Sequence, residues 1–347
     1  MRALSSGRPS SCNVACALMT VAPLALVGCI DWSQFRGPES DAGAEADAGV
    51  DAGPAEWASV APRCVGMGED VSVAWSALGA CTPIGFTATA SREGCALVPI
   101  DAPTDLGVDC GALHVELPVY VDAPISSGSS AVPFVSATID GDRSEWGAQH
   151  FRLVGEGAGP VDQSDLYAEM AIGWDERGLS IYAAIEDDSV ETFDTMDVRQ
   201  LYRSDGIEVL VDPGADGSCD GGCGLDASRG ERQIFIEHTG RVGSSTGPVD
   251  GVEVFAMATG ANGYVIEARL EWSLFLVTDA APGRELWVNI AANDRDGGSR
   301  TPDEPPALLW RLELDGSGAP LYPHPYDSRS FRRVGLRCGA QPAASCP

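Results

Sequence analysis

Gly173-Trp174-Asp175-Glu176-Arg177-Gly178-Leu179-Ser180-Ile181-Tyr182 is the stretch whose reading fixes the architecture. Before it, Leu166, Ala168, Met170, Ile172 and Trp174 occupy alternate positions. After it, Leu179, Ile181, Ala183 and Ile185 do the same. An apolar residue at every second position sends one face of a strand into a core. The four residues from Asp175 to Gly178 then read as the turn of a β-hairpin, with Gly178 free to supply a positive φ. In this reading Trp174 belongs to the core and Asp175 bonds the turn's own backbone.

The pattern continues outward. Ile207, Val209 and Val211 form a third alternating set, and Tyr264, Ile266, Ala268 and Leu270 a fourth. Leu286–Ile290 and Leu308–Leu312 extend it. No helical stripe of useful length competes. The expected fold is all-β, an antiparallel β-sandwich over residues 138–337. Upstream, Val71–Trp75, Phe86–Ala90 and Val115–Val121 alternate among four cysteines. This predicts a small disulfide-stapled β domain over residues 57–124, because a core of fewer than about 70 residues needs such staples. Residues 36–56 are mostly Ala, Gly, Asp and Glu and cannot build a core, so 29–56 reads as a solvated tether. A Ser/Gly linker is expected over 125–137, around Ser126–Ser130, and a cysteine-containing tail over 338–347.

The 347 residues carry 51 acidic and 22 basic side chains, none of them lysine, for a net charge of -29. That balance argues against nucleic acid, whose phosphates require basic patches, and against attraction to anionic lipid. The N-terminus reads as a targeting segment, residues 1–28. Arg2 and Arg8 precede an apolar run, Val14–Gly28, too short to span a bilayer. It ends in Leu26-Val27-Gly28-Cys29, which resembles a bacterial lipobox. Cys29 would then carry the lipid, and the exported chain would reach the membrane of the cell envelope only through that anchor. Of the 11 cysteines, Cys12 and Cys16 leave with the signal and Cys29 is lipidated, which leaves eight. They are Cys64, Cys81, Cys95, Cys110, Cys219, Cys223, Cys338 and Cys346. In an oxidising compartment an even number implies disulfides. Their clustering suggests local pairs: two bridges among the first four, then Cys219–Cys223 and Cys338–Cys346. A zinc site is disfavoured, since the chain has no C-x-x-C pair and four histidines.

A succession of short motifs runs through the second half. Ile139-Asp140-Gly141-Asp142 with Glu145-Trp146 comes first, then Gly173-Trp174-Asp175 and Glu186-Asp187-Asp188. Ser204-Asp205-Gly206-Ile207-Glu208-Val209-Leu210-Val211-Asp212, Tyr264-Val265-Ile266-Glu267-Ala268 with Glu271-Trp272, and Asn293-Asp294 follow. In this order the motifs resemble the family 9 carbohydrate-binding modules over about residues 138–336. The resemblance implies a β-sandwich that grips a sugar, often a polysaccharide chain end, between two aromatic rings. The first clamp position falls on Tyr202 and the second on Tyr326, with Tyr322 as the alternative. The glutamate that bonds sugar hydroxyls falls on Glu208, and Asp187 is a further candidate ligand. Tyrosine stands at both clamps where the family carries tryptophan, and the strand Gln233-Ile234-Phe235-Ile236-Glu237 lacks a basic residue that some members have.

The residue chemistry agrees. An aromatic plate covers the C–H face of a sugar, and a carboxylate accepts from its hydroxyls. Glu208 points away from the face made by Ile207, Val209 and Val211, and both it and Tyr202 are expected to be partly exposed. The expected partner is an oligo- or polysaccharide, held without catalysis. Three rival chemistries are weaker. Gly243-Ser244-Ser245-Thr246-Gly247 matches G-x-S-x-G, but Pro248 follows it where a hydrolase elbow needs a helix. Asp187 and Glu208 could form a glycosidase pair only at a suitable separation. Met170 and Met257 lie in apolar strand patterns, which favours packing over haem ligation. For metals, Asp212, Asp216, Asp220 and Asp226 crowd the loop around Cys219 and Cys223, and Asn293, Asp294 and Asp296 form a second cluster. Both offer oxygen ligands for structural calcium, which the resemblance also implies, and the first is the preferred set.

Overall fold

The computed structural model describes residues 56–147, 151–155, 166–193, 196–214, 225–295, 308–313, 332–339, 344 and 346; for 151–155 and 308–313 it describes the backbone. All lie within one compact unit, Gly37–Pro347. None of the described helices is long and apolar enough to cross a membrane. Cys29, and the apolar run before it, lie outside the described residues.

Six strands build the smaller sheet: β1 (Trp57–Ala61), β2 (Cys64–Val65), β3 (Glu69–Ile84), β4 (Ser91–Ile100), β5 (Thr104–Asp109) and β6 (His114–Val121). Their order is β1-β3-β5-β6-β2, with β4 on β3. Val71, Val73, Trp75, Leu106, Val108 and Val119 close around one core, and the Cys81–Cys110 disulfide pins β3 to the end of β5. Phe86–Ala90 is not the strand its alternation suggests. The chain leaves β3 after Ile84, and Phe86 lays its ring against Trp75 with centroids 6.3 Å apart. Packing the ring onto the core wins over a further ladder.

The sandwich comprises β7 (Ser130–Pro133), β8 (Phe151–Gly155), β9 (Leu166–Trp174), β10 (Gly178–Asp187), β11 (Gly206–Asp212) and β12 (Arg232–Glu237). It continues with β13 (Val242–Ser244), β14 (Val252–Ala258), β15 (Gly263–Glu271), β16 (Glu285–Asp294), β17 (Leu308–Glu313) and β18 (Arg332–Arg337). One layer runs β13-β12-β11-β16, with β18 and then β7 beside β16. The other runs β8-β9-β10-β15-β14. β17 joins them, pairing with β16 through Asn293↔Leu309 and with β8 through Trp310↔Gly155. The pairing is antiparallel except for β7 on β18. The alternating sets meet between the layers: Ile172, Trp174, Leu179, Ile181, Ile207, Val209, Ile266, Leu270, Val288 and Ile290 belong to one buried cluster.

The hairpin pairs Leu179 with Trp174 and Ile181 with Ile172. Gly178 does not adopt a positive φ. It is glycine for want of space, since a Cβ there would lie 2.1 Å from the carbonyl oxygen of Leu270. Asp175 is fully buried. Its Oδ1 accepts the amides of Arg177 and Gly178 at 2.8 and 3.0 Å, and Arg269 Nε lies 3.8 Å from its Oδ2. It is therefore turn chemistry and a buried ion pair at once.

Two expectations need correction. The Ser/Gly stretch is no free linker. Ser126 and Ser129 hydrogen-bond the Glu285 carboxylate, residues 130–133 form β7, and Val132 and Phe134 enter the sandwich core. The predicted Cys338–Cys346 bridge does not form. Cys338 pairs with Cys64 and Cys346 with Cys95, across sequence separations of 274 and 251 residues. Cys64 sits on β2 beside the sandwich core and faces the end of β18, so spatial proximity overrides proximity in sequence. Cys81–Cys110 is the one local bridge of the three described, and Cys219 and Cys223 lie outside the described residues. The smaller sheet also meets the sandwich core at the hairpin corner. Tyr120 of β6 stands edge-on to Trp174 with centroids 5.4 Å apart, Phe134 lies 5.1 Å from Trp174, and Arg63 pairs with Glu176 at 2.7 Å.

Trp174 therefore joins the sandwich core to a side chain of the smaller sheet, and its indole Nε1 donates to the Arg337 carbonyl at 2.9 Å. Trp174→Ala should cost roughly 3–5 kcal/mol, as expected for truncating a large buried aromatic. Chemical denaturation of the oxidised protein measures it, and a loss below about 1 kcal/mol would refute the assigned role.

Candidate functional site

The segment that places the candidate clamp is a 3-10 helical turn, Val198–Arg203, capped by Asp197, whose side chain accepts the Arg199 amide at 3.1 Å. The turn lies against β12 and β13. Gly243 has to be glycine there, because a Cβ would come within 1.9 Å of the Val198 carbonyl oxygen. The Gly-x-Ser-x-Gly sequence is accordingly the end of β13 and the loop leading to β14, not a strand-to-helix elbow. Tyr202 is half-buried, and its ring tilts over Phe235 with centroids 5.6 Å apart. Phe235 is the cross-strand partner of Glu208. Tyr202 and Glu208 thus meet through Phe235, on the face of the β11–β12 ladder turned away from the core.

That face is not open to solvent in the way period-two patterning suggests. Glu208 is 3% exposed and Gln233 1%, which corrects the expectation of a partly exposed glutamate. Gln233 donates through Nε2 to Glu208 Oε1, and Ser245 donates through Oγ to Gln233 Oε1. Glu208 Oε2 accepts from no donor among the described residues. Burial pushes the Glu208 carboxyl up from an ordinary 4.5 to about 7, against the opposing pull of the Gln233 hydrogen bond.

Asp187 does not join Tyr202 and Glu208. It closes β10 on the core side and lies with Asp205 and Asp294, the ligand oxygens of the three all within 4.8 Å of one another. All three are buried. Asp205 accepts the amides of Glu191 and Arg295, the latter at 2.5 Å. Burial, with Asp187 and Asp294 nearby, raises its pKa to about 9 despite those two bonds. The hydroxyl of Tyr264 is pushed well upward by its own burial and then by the same three carboxylates. Clustered carboxylates disfavour one another's charge, and a cation offsets that repulsion, their hard oxygens suiting calcium. The donor set therefore fits a structural calcium ion.

The preferred metal residues fare differently. Asp212 uses Oδ1 to accept the Gly214 amide at 2.9 Å in a local turn. Asp226 caps a 3-10 turn, accepting the Ser228 amide at 2.8 Å. Asp216, Asp220, Asp296, Tyr322 and Tyr326 lie outside the described residues. Reading the sequence missed Asp205 as a partner of Asp187 and Asp294. The signal was an Asp-Gly directly before a strand, where a carboxylate lands at a strand mouth. Gln233 and Phe235 were visible only as members of an alternating strand.

Two β layers with a polar network and an aromatic ring on the outer face of one ladder form a β-sandwich binding module. Residues 141–303 match the family model described as carbohydrate family 9 binding domain-like. No curated protein matches the chain. Similar solved structures include two family 9 carbohydrate-binding modules from Caldicellulosiruptor kristjanssonii. The one in complex with cellotriose is 16% identical with a TM-score of 0.47, covering 63% of this chain and 98% of its own. The one in complex with glucose is 15% identical with a TM-score of 0.46, covering 60% and 96%.

The folded-state pKa of Glu208 exceeds its unfolded value, so the protonated form is favoured on folding. Stability from this residue is full below about pH 4.5 and is lost as pH rises toward 7. Glu208→Gln keeps an oxygen for Gln233 and cannot ionise. The variant should match wild type at acid pH and gain on the order of 3 kcal/mol above pH 7. Parallel denaturation curves that keep a constant offset across this range would show that Glu208 is not the group involved.

Proposed function

We propose that the chain binds a saccharide without transforming it, through Tyr202 as a stacking plate and Glu208 as a hydroxyl acceptor, with Tyr326 as the opposing plate. The observation that carries this is the continuity of Tyr202, Phe235 and Glu208 across one ladder, with Glu208 Oε2 left without a donor beside a half-buried ring. Gln233 holds the other carboxylate oxygen, and Ser245 in turn holds the Gln233 amide, which fixes the acceptor's direction. A preset acceptor loses little entropy on binding. The glycosidase alternative is disfavoured, since Asp187 and Glu208 occupy opposite sides of their layers. Titration with cellotriose and glucose, and with a wider glycan array, tests the reading. Tyr202→Ala should weaken binding by roughly 1 kcal/mol, as aromatic contacts contribute about 0.5–1.5 kcal/mol beyond area, with melting nearly unchanged. Undiminished affinity would remove Tyr202 from the site, and product formation would favour an enzyme.

The same reading gives calcium a structural part, held by Asp187, Asp205 and Asp294 in place of the loop set built on Asp212. The ion would supply the charge that lets all three carboxylates ionise within the sandwich end. Calcium should raise the melting temperature relative to chelator, because an ion that binds only the folded form shifts its equilibrium. Asp205→Asn should abolish that increment. An increment preserved in Asp205→Asn would place the ion elsewhere.

A further inference from the structure

Phe193 carries two guanidinium groups. Arg203 Cζ lies 4.5 Å from its ring centroid and Arg295 Cζ 4.7 Å. The three residues are fastened to the segment that bears Tyr202. The Phe193 amide donates to Ser204 Oγ at 2.8 Å, Arg295 Nη1 donates to the Arg203 carbonyl at 3.1 Å, and the Arg295 amide donates to Asp205. Charge does not balance here. Arg295 has the Glu191 carboxylate 3.4 Å from its Nε, whereas Arg203 meets no carboxylate among the described residues. Elsewhere arginines such as Arg63, Arg143, Arg199 and Arg337 each find an acid. Two cations thus share one ring, and only Arg295 has a carboxylate, that of Glu191, against its guanidinium.

Stacking also decides what the Arg203 guanidinium can recognise. A ring covers the guanidinium face and leaves its rim of N–H donors directed sideways. That fork matches a planar or tetrahedral anion in two-point contact. Arg203 directly follows Tyr202 in the same 3-10 turn, so its guanidinium is carried by the segment that bears the candidate plate. We propose that Arg203, with Arg295 alongside, forms a subsite for an anionic group on the bound saccharide: a uronate carboxylate or a sulfate ester. This rests on the sugar-binding reading of Tyr202 and adds the class of sugar to it.

The test is calorimetric titration of the whole protein with three probes of matched length: a neutral cello-oligosaccharide, an oligogalacturonide and a sulfated galacto-oligosaccharide. An anionic probe should bind about tenfold or more tighter than the neutral one at low salt, as charge-assisted hydrogen bonds imply, and the advantage should shrink as salt screens it. Whichever anion gains more identifies the group. Arg203→Gln should remove the advantage and leave neutral binding within about twofold, while Arg203→Lys should retain part of it. Arg203 is partly exposed, so melting should not move. Equal affinity for charged and neutral probes, or an advantage that survives Arg203→Gln, overturns the subsite alone. Absence of binding to every probe overturns the sugar reading and the subsite with it.

Discussion

The outward face of β15 carries the constraint on which the sandwich depends. Glu267 and Arg269 point away from the core, yet both are buried. A buried charge is tolerable only when it is paired and hydrogen-bonded, and each draws its partners from distant segments. Glu267 accepts the amides of Asp140 and Gly141 at 3.0 and 2.6 Å and the Trp146 indole at 2.8 Å. Arg269 meets Glu253 at 2.5 Å, the Ala137 carbonyl and the Asp175 carboxylate. Trp272, just beyond the strand, donates to the Asp175 carbonyl at 2.8 Å. Breaking one member strands the others, which is why the penalty for removing a partner exceeds the net worth of the bond.

This network gives the motif order its physical meaning. Asp140, Gly141 and Trp146 bond Glu267, and Trp272 and Arg269 meet Asp175, across long separations in sequence. They report how the sandwich is closed. They do not report what it binds, since none of them touches Tyr202 or Glu208. The burial that strengthens these bonds also raises the Glu267 carboxyl to about 7, against the three hydrogen bonds that favour its charge.

What was legible follows from the same distinction. Alternation identifies which residues share a face, so the core sets around Trp174 and Ile207 could be read directly. Alternation is silent on whether the second face meets water. Glu208 was therefore read as outward and half-exposed, when the polar face of β11 is itself enclosed. Cysteine spacing reports proximity along the chain, whereas Cys64–Cys338 and Cys95–Cys346 join segments brought together only by the completed fold. Asp187, Asp205 and Asp294 each look like ordinary turn aspartates. Their convergence depends on β10, β11 and β16 ending at the same edge, which is a property of topology.

Topology also separates the two ends of the module. β10 is ten residues long, or roughly 30 Å at about 3.3 Å per residue. At its first end the hairpin corner receives Tyr120, Arg63 and the Cys64–Cys338 bridge. At its last end Asp187 meets Asp205 and Asp294, and the turn bearing Tyr202 and Arg203 lies immediately before Asp205. The smaller sheet is thus fixed to the end remote from the candidate site. Its ion pair with Glu176, its aromatic contact with Trp174 and its covalent bridge restrain the corner of the hairpin. The other end is left to loops whose side chains, and not whose backbone pairing, set the chemistry. Rigidity at one end and chemical variation at the other is what a binding sandwich requires, because ordering costs met by the scaffold are not charged against the ligand.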